Sequence, residues 1–199
     1  MRKVRSVIAV ILMITMLFPF AGCSSSTAGT IADENKFFDA LKSSSGISKE
    51  MADYKTDCTF DGAEAECVIT VQNGQNVYVY VRYKNAEDAV ARFTSFYQSF
   101  ESNRATKYGG KNANKTTKTG GSVIFNGEFA GGSEVQFAFS RYRKLEGNKK
   151  MLGAVIGKNN VYIEAFSVNG SDEDKQNMIA FFDAIGFKSF ERDTVFANK

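Results

Sequence analysis

The chain has 199 residues, with 25 Lys and Arg, 22 Asp and Glu, and neither His nor Trp. The absence of His excludes Ser-His-Asp and Cys-His catalysis, and it excludes every metal site that needs an imidazole ligand. A chain of this length suits one domain with its own hydrophobic core.

The first 22 residues have the features of an export signal. Arg2, Lys3 and Arg5 form a basic start, and the 12 residues from Val7 to Phe18 are almost entirely apolar. A membrane-spanning helix needs roughly 20 apolar residues. The shorter run therefore predicts a cleaved signal peptide and not a transmembrane anchor.

The end of this segment reads Phe20-Ala21-Gly22-Cys23. It resembles the lipobox of bacterial lipoproteins, in which an apolar residue, usually Leu, and two small residues precede a cysteine. The resemblance implies cleavage before Cys23, which would carry a diacylglycerol with palmitate-type chains and become the mature N-terminus. It also implies export and a lipid anchor in the cell membrane or, as Ser24 favours in diderm lipoproteins, the outer membrane. An ordinary signal peptide that ends near a cysteine is the alternative.

These features divide the chain into a signal peptide (1–22), a lipidated flexible tether (23–32) and one globular domain (33–199). The tether is small, polar and uncharged, and as a random coil it would reach on the order of 15–20 Å. Without the signal, 22 basic and 22 acidic residues remain. This balance gives no general attraction to nucleic acid, so we expect no nucleic-acid partner.

Two cysteines remain once the first is assigned to lipid, namely Cys58 and Cys67. Exported domains often meet oxidising conditions, so the pair predicts a structural disulfide. A turn at Gly62-Ala63 would place the two cysteines directly opposite each other on paired strands. A turn at Asp61-Gly62 would instead place Thr56 opposite Cys67. A redox role and a metal site are the alternatives to the disulfide. The C-x8-C spacing differs from the C-x-x-C motif of thiol oxidoreductases, and two thiolates without His leave a zinc site incomplete.

The sequence of the first half of the domain predicts a helix, a hairpin, a strand with a strong alternating pattern and a second helix. The helix covers 33–44, and the strands of the cysteine hairpin cover 56–60 and 65–71. Residues 75–84 alternate Val with Tyr and have apolar or aromatic side chains on both faces, as in a central strand. Asn85 begins an amphipathic helix whose apolar stripe is expected to pack on the sheet.

The second half begins with residues 102–121, which have no hydrophobic period and predict a mobile basic loop. Four strand-like runs follow, at 122–129, 133–142, 150–156 and 160–168. Ser171 then begins a last helix, with Asp174 at the capping-box position. Glycine-rich and Asn-rich turns separate the strands.

Consecutive strands with short turns pair antiparallel, and each half ends in a helix. Asn76-Val77-Tyr78-Val79 is echoed by Asn160-Val161-Tyr162-Ile163, which is compatible with a duplication or a coincidence. The sequence therefore predicts a single α+β domain, in which an antiparallel sheet of two meander-then-helix halves is backed by helices.

Residues 102–160 carry 11 basic and only 3 acidic side chains. Such a block is suited to contact an anionic envelope polymer or lipid headgroups, and a solvated hairpin end is the alternative. The candidate contacts are Arg104, Lys107, Lys111, Lys115, Lys118, Arg141 and Arg143.

Glu128, Glu134 and Glu164 lie in predicted strands and are candidates for paired carboxylates, which glycoside chemistry needs at about 5–9 Å. Solvent-facing strand acids are the ordinary alternative. No other catalytic residue, metal cluster or cofactor motif is recognised, so we expect no enzyme activity, no metal and no cofactor. The sequence predicts a membrane-anchored envelope lipoprotein that acts as a non-catalytic binding or accessory module. A carboxylate-only enzyme and a protein-binding or inhibitor-like lipoprotein are the alternatives.

Overall fold

The structure is a computed structural model that describes residues 32–197, so the predicted signal peptide and the predicted lipidation site Cys23 lie outside it. Within these residues the α-helices are α1 (Glu34–Ser45), α2 (Ala86–Arg104), α3 (Asp172–Ala184) and α4 (Phe190–Phe196). The strands are β1 (Asp53–Phe60), β2 (Ala63–Asn73), β3 (Asn76–Tyr83), β4 (Tyr108–Thr117), β5 (Gly120–Phe129), β6 (Lys149–Lys158) and β7 (Val161–Val168). None of the described helices has both the length and the apolar character needed to cross a membrane.

The seven strands form one antiparallel sheet in the order β1-β2-β3-β7-β6-β5-β4. Two meanders therefore meet where β3 pairs with β7 at the centre of the sheet. The predicted α+β class, with an antiparallel sheet backed by helices, is confirmed. All eight residues of β7 are buried, because both faces of this central strand are covered.

Helices cover both faces of the sheet and create two hydrophobic cores. The first face packs against α1, α3 and α4, with Phe37, Phe181 and Phe196 in its core. The second face packs against α2 and a covering segment (residues 130–148), with Phe96 and Phe137 in its core. The echoed strands β3 and β7 are antiparallel neighbours, but α2 and α3 lie on opposite faces. If a twofold axis perpendicular to the sheet related the two halves, α2 and α3 would lie on the same face. They do not, so the two halves are not related by this symmetry.

The predicted helix boundaries follow from capping residues. The side chain of Asp33 accepts a hydrogen bond from the Lys36 N–H, and α1 ends at Gly46 with a φ of 65°, which glycine tolerates. At α3, Ser171 and Asp174 form a complete capping box. Asn85 precedes α2 as predicted, although its amide bonds the Asp88 side chain and not the helix backbone.

The prediction of a mobile loop over 102–121 is wrong, because this stretch contains the end of α2 and the edge strand β4. β4 pairs with β5 along its whole length, from Tyr108 opposite Phe129 to Thr117 opposite Gly120. Most of its side chains are exposed, so no apolar alternation marks the strand in the sequence. Lysines on such an edge also discourage pairing with a further strand.

The predicted strand over 133–142 is irregular. Its one ladder contact among the described residues is an isolated bridge between Glu134 and Lys144. Phe137 is fully buried on the second face. Val135 is buried on the same face, so the strand-like pattern of this stretch marks the anchoring residues of the covering segment, which packs on the sheet beside α2.

The cysteine hairpin turns at a different position from the one predicted. Phe60 pairs with Ala63, so the turn is Asp61-Gly62, whose φ angles of 48° and 86° are those of a type I′ turn. Asp-Gly favours this turn because both central residues need a positive φ. Thr56 consequently lies opposite Cys67, and the predicted register is wrong.

The two thiols lie on opposite faces of the sheet and are both free. Cys67 belongs to the core of the first face, whereas Cys58 packs against the core of the second. Asp57 has a positive φ of 44°, and the register with β3 shifts between Ala65 and Cys67. Irregularities of this kind turn the following side chains to the other face, so the predicted disulfide is not present.

Candidate functional site

The predicted basic contact residues do not form one cluster. Lys107 precedes β4 and Lys118 follows it, so they are about 36 Å apart along the strand. Lys111 and Lys115 share the strand face of Ala113, which packs on the first core. The Lys111 ammonium donates a hydrogen bond to a main-chain carbonyl just after α4, at 2.9 Å.

The three predicted arginines have separate environments. Arg104 pairs with an acid three residues earlier on α2. The guanidinium of Arg141 lies over the ring of Tyr142, 5.9 Å from its centroid. Arg143 reaches the turn between β1 and β2, where its Nη2 donates to both carboxylate oxygens of Asp61 at 2.7 Å. Of the three, Arg143 leads to a site with further functional groups.

Glu164 is fully buried in β7 on the second face. Its carboxylate accepts hydrogen bonds from the main-chain N–H groups of Ala138, at 2.7 Å, and Phe139, at 3.0 Å, and from the Tyr162 hydroxyl, at 2.9 Å. Burial raises the pKa of Glu164, and the two N–H donors and the charge of Arg92 oppose that rise. The carboxylate thus fastens the covering segment to the sheet.

Arg92 of α2 links this buried group to the protein surface. Its guanidinium lies over the ring of Tyr162, 5.1 Å from the centroid. Its Nη2 donates to the carbonyl of Gln136 at 2.7 Å, and its Nε lies 3.1 Å from a carboxylate oxygen of Asp61. A chain of polar contacts therefore runs from Glu164 through Tyr162 and Arg92 to Asp61.

An open cleft of about 560 Å³ lies at the outer end of these contacts. We call it the arginine cleft; its polar and charged lining residues are Asp61, Tyr83, Asp88, Arg92, Ser95, Gln136 and Arg143. Main-chain carbonyls of the covering segment hold both arginines, since Arg143 Nε also donates to the Phe137 carbonyl at 2.7 Å. The hydroxyl of Tyr83 is buried and has no hydrogen-bond partner among residues 32–197.

The arginine cleft is balanced in charge, with two arginines and two aspartates. Arg143 keeps 35 % of its side chain exposed, so it can donate hydrogen bonds beyond those to Asp61 and Phe137. Burial raises the pKa of Tyr83, which keeps its hydroxyl neutral and available as a donor. Such a mixture of fixed donors and acceptors suits a polar, hydroxyl-rich ligand better than a polyanion.

The three glutamates considered for paired-carboxylate chemistry do not converge. Glu128 alternates with Phe129, which is buried on the second face, so its side chain points to the first face. Glu134 is exposed and lies 3.9 Å from Lys144. Glu164 points to the second face and is enclosed, so no pair of these acids shares a cleft.

Sequence reasoning did not find Arg92, Asp61 or Tyr83 as site residues. Arg92 lies within the apolar stripe of α2, where a charged residue already indicates a buried or paired cation. Glu164 stands between Tyr162 and Phe166 in a strand that is apolar on both faces. An acid in such a strand predicts a buried carboxylate with dedicated donors.

No protein-family model, curated protein or solved structure shows significant similarity to this chain.

Proposed function

We propose that this chain is a lipid-anchored cell-envelope protein whose domain binds a ligand without catalysis. The proposed anchor rests on the lipobox-like sequence ending at Cys23 and on the basic and apolar residues before it. The proposed ligand site is the arginine cleft, and the ligand class is a hydroxyl-rich polar molecule such as an envelope glycan.

The observation that carries the ligand site is the buried Tyr83 hydroxyl, which has no partner beside two arginines in fixed positions. An unsatisfied buried polar group costs about 1–3 kcal/mol. A sugar hydroxyl can accept a hydrogen bond from Tyr83 or Arg143 and donate one to Asp88. Binding would therefore satisfy groups that the free protein leaves unpaired.

The test is an NMR titration of the isotope-labelled mature chain with soluble muropeptides released from purified peptidoglycan. We expect saturable shifts of the Arg143 Nε–H signal and of amides around the cleft. An Ala91→Arg variant places a long side chain in the cleft from an exposed position on α2 and should abolish these shifts.

A matched control is Ser102→Arg, which makes the same kind of change at an exposed position 11 residues along α2, about 16 Å away. It should bind like the wild type. The cleft would be rejected as the ligand site if muropeptides gave no saturable shifts, or if both variants behaved alike.

A further inference from the structure

The described chain begins beside the end of the sheet where β6 ends and β7 begins. Ala32 and Asp33, where the described chain begins, line one cleft together with Lys158 at the end of β6. The two-residue turn that holds Lys118 lies next to it, because Gly120 pairs with Lys158. Lys118 and Lys158 are thus about two strand spacings apart, on the order of 10 Å.

These two lysines are not neutralised within residues 32–197. Neither forms a salt bridge or a side-chain hydrogen bond there, and the same holds for Lys115 on the adjoining strand β4. Other cations at this end are engaged: Arg82 pairs with Glu66 and lies 3.8 Å from Glu34. At this end of the sheet, the lysines without a partner among residues 32–197 therefore lie at or next to the turns after β4 and β6.

The cleft between Ala32 and Lys158 has two further features that suit an anionic headgroup. It has a volume of about 410 Å³ and is lined by Arg82. The fully buried Tyr80 also lines it, and the Tyr80 hydroxyl has no hydrogen-bond partner in the described part of the chain. The one acid in its lining, Asp33, already caps α1 by accepting the N–H of Lys36.

We infer that this end of the sheet, through Lys118 and Lys158, contacts the headgroups of anionic phospholipids in the membrane that holds the anchor. The inference rests on the proposed lipid anchor, because the short tether before Ala32 would bring this end of the domain to the membrane surface. Each lysine close to an anionic membrane contributes about 1 kcal/mol, which corresponds to about a fivefold change in membrane occupancy.

The experiment uses the full lipidated protein, purified from membranes and inserted into vesicles of phosphatidylcholine, with or without phosphatidylglycerol. Lysines are acetylated briefly, and mass spectrometry gives the labelling rate at each one. We expect phosphatidylglycerol to slow labelling of Lys118 and Lys158 by about fivefold, and high salt to remove this protection. Lys150 lies at the opposite end of β6, about 26 Å from Lys158, and should label equally in both membranes.

Charge-matched variants complete the test. The Lys118→Gln/Lys158→Gln double variant should lose the contact of this end with the membrane. The labelling rate of the neighbouring Lys115 should then be the same with and without phosphatidylglycerol. The Lys144→Gln/Lys150→Gln variant loses the same charge elsewhere and should keep the protection of Lys118 and Lys158. Equal labelling of Lys118 and Lys158 in both membranes, with the protein still anchored, would overturn the inference and leave the anchor intact. Loss of the protein from both vesicles in a salt wash would instead overturn the anchor.

Discussion

Replacing Glu164 by alanine should destabilise the domain more than any change of an exposed acid. The change removes the acceptor of three hydrogen bonds, two from the main chain at Ala138 and Phe139 and one from the Tyr162 hydroxyl. It also removes a negative charge close to Arg92. Three unsatisfied donors at about 1 kcal/mol or more each, together with the lost attraction to Arg92, which keeps Asp61 as its partner, give a loss of about 3–5 kcal/mol.

The assay is urea unfolding followed by far-UV circular dichroism, because the chain has no Trp to report on unfolding. A milder Glu164→Gln variant keeps the shape of the side chain and should lose about 1–3 kcal/mol. The matched control is Glu134→Ala in the covering segment, whose side chain is 68 % exposed. It should change the free energy of unfolding by less than about 0.5 kcal/mol.

Hydrogen exchange gives a second, local measurement. In Glu164→Gln the amides of Ala138 and Phe139 should exchange faster, while those in the β2–β3 ladder remain protected. If Glu164→Ala unfolded at the same urea concentration as the wild type, or if these two amides kept their protection in Glu164→Gln, the assigned role of Glu164 would be wrong.

Three other predictions concern the protonation of Glu164, the reactivity of the two cysteines and the cap of α3. Burial raises the folded-state pKa of Glu164 above an unfolded value of about 4.3, so its stabilising contribution is complete below that pH and is lost as the pH rises through the folded-state pKa. The stability of the wild type relative to Glu164→Gln should therefore fall as the pH is raised from about 4, and urea unfolding over a pH series would show a flat or rising difference if this sign were wrong. Without reductant, Cys58 should be alkylated in the native protein. Cys67 should be alkylated mainly after unfolding, because burial raises its pKa to about 11. An intact mass that is 2 Da lower than expected would instead reveal a disulfide between the two cysteines. Ser171→Ala breaks the capping box of α3 and should lower the free energy of unfolding by about 1 kcal/mol, whereas an unchanged urea midpoint would show that this cap is dispensable.

The parts of the fold that the sequence predicted are those with strong local signals. The Val and Tyr alternation of β3 and the Ser171–Asp174 cap of α3 each depend on neighbouring residues alone, and both are found in the structure. β4 was missed because an exposed edge strand has no buried face to create a hydrophobic period. The segment over 133–142 resembles a strand in sequence because Val135 and Phe137 are buried beside α2, and burial of every second residue gives the same pattern as strand pairing.

The arginine cleft depends on contacts that are distant in sequence, and local patterns cannot predict such contacts. Asp61 meets Arg143 from 82 residues away, and Glu164 accepts from a main chain about 25 residues before it. The cysteine register depended on the choice between two adjacent turns. The observed turn pairs Cys67 with Thr56 in place of Cys58, and the irregularities at Asp57 and between Ala65 and Cys67 then place the two thiols on opposite faces.

Mass spectrometry of the protein purified from its own membranes would establish whether Cys23 is the lipidated N-terminus of an envelope protein. We expect an N-terminal peptide that begins at Cys23 and carries a thioether-linked diacylglycerol, with no trace of residues 1–22. We also expect a Cys23→Ser variant to be released from the membrane fraction. A mature N-terminus at another residue, or an unmodified Cys23 in the native protein, would contradict the proposed lipid anchor.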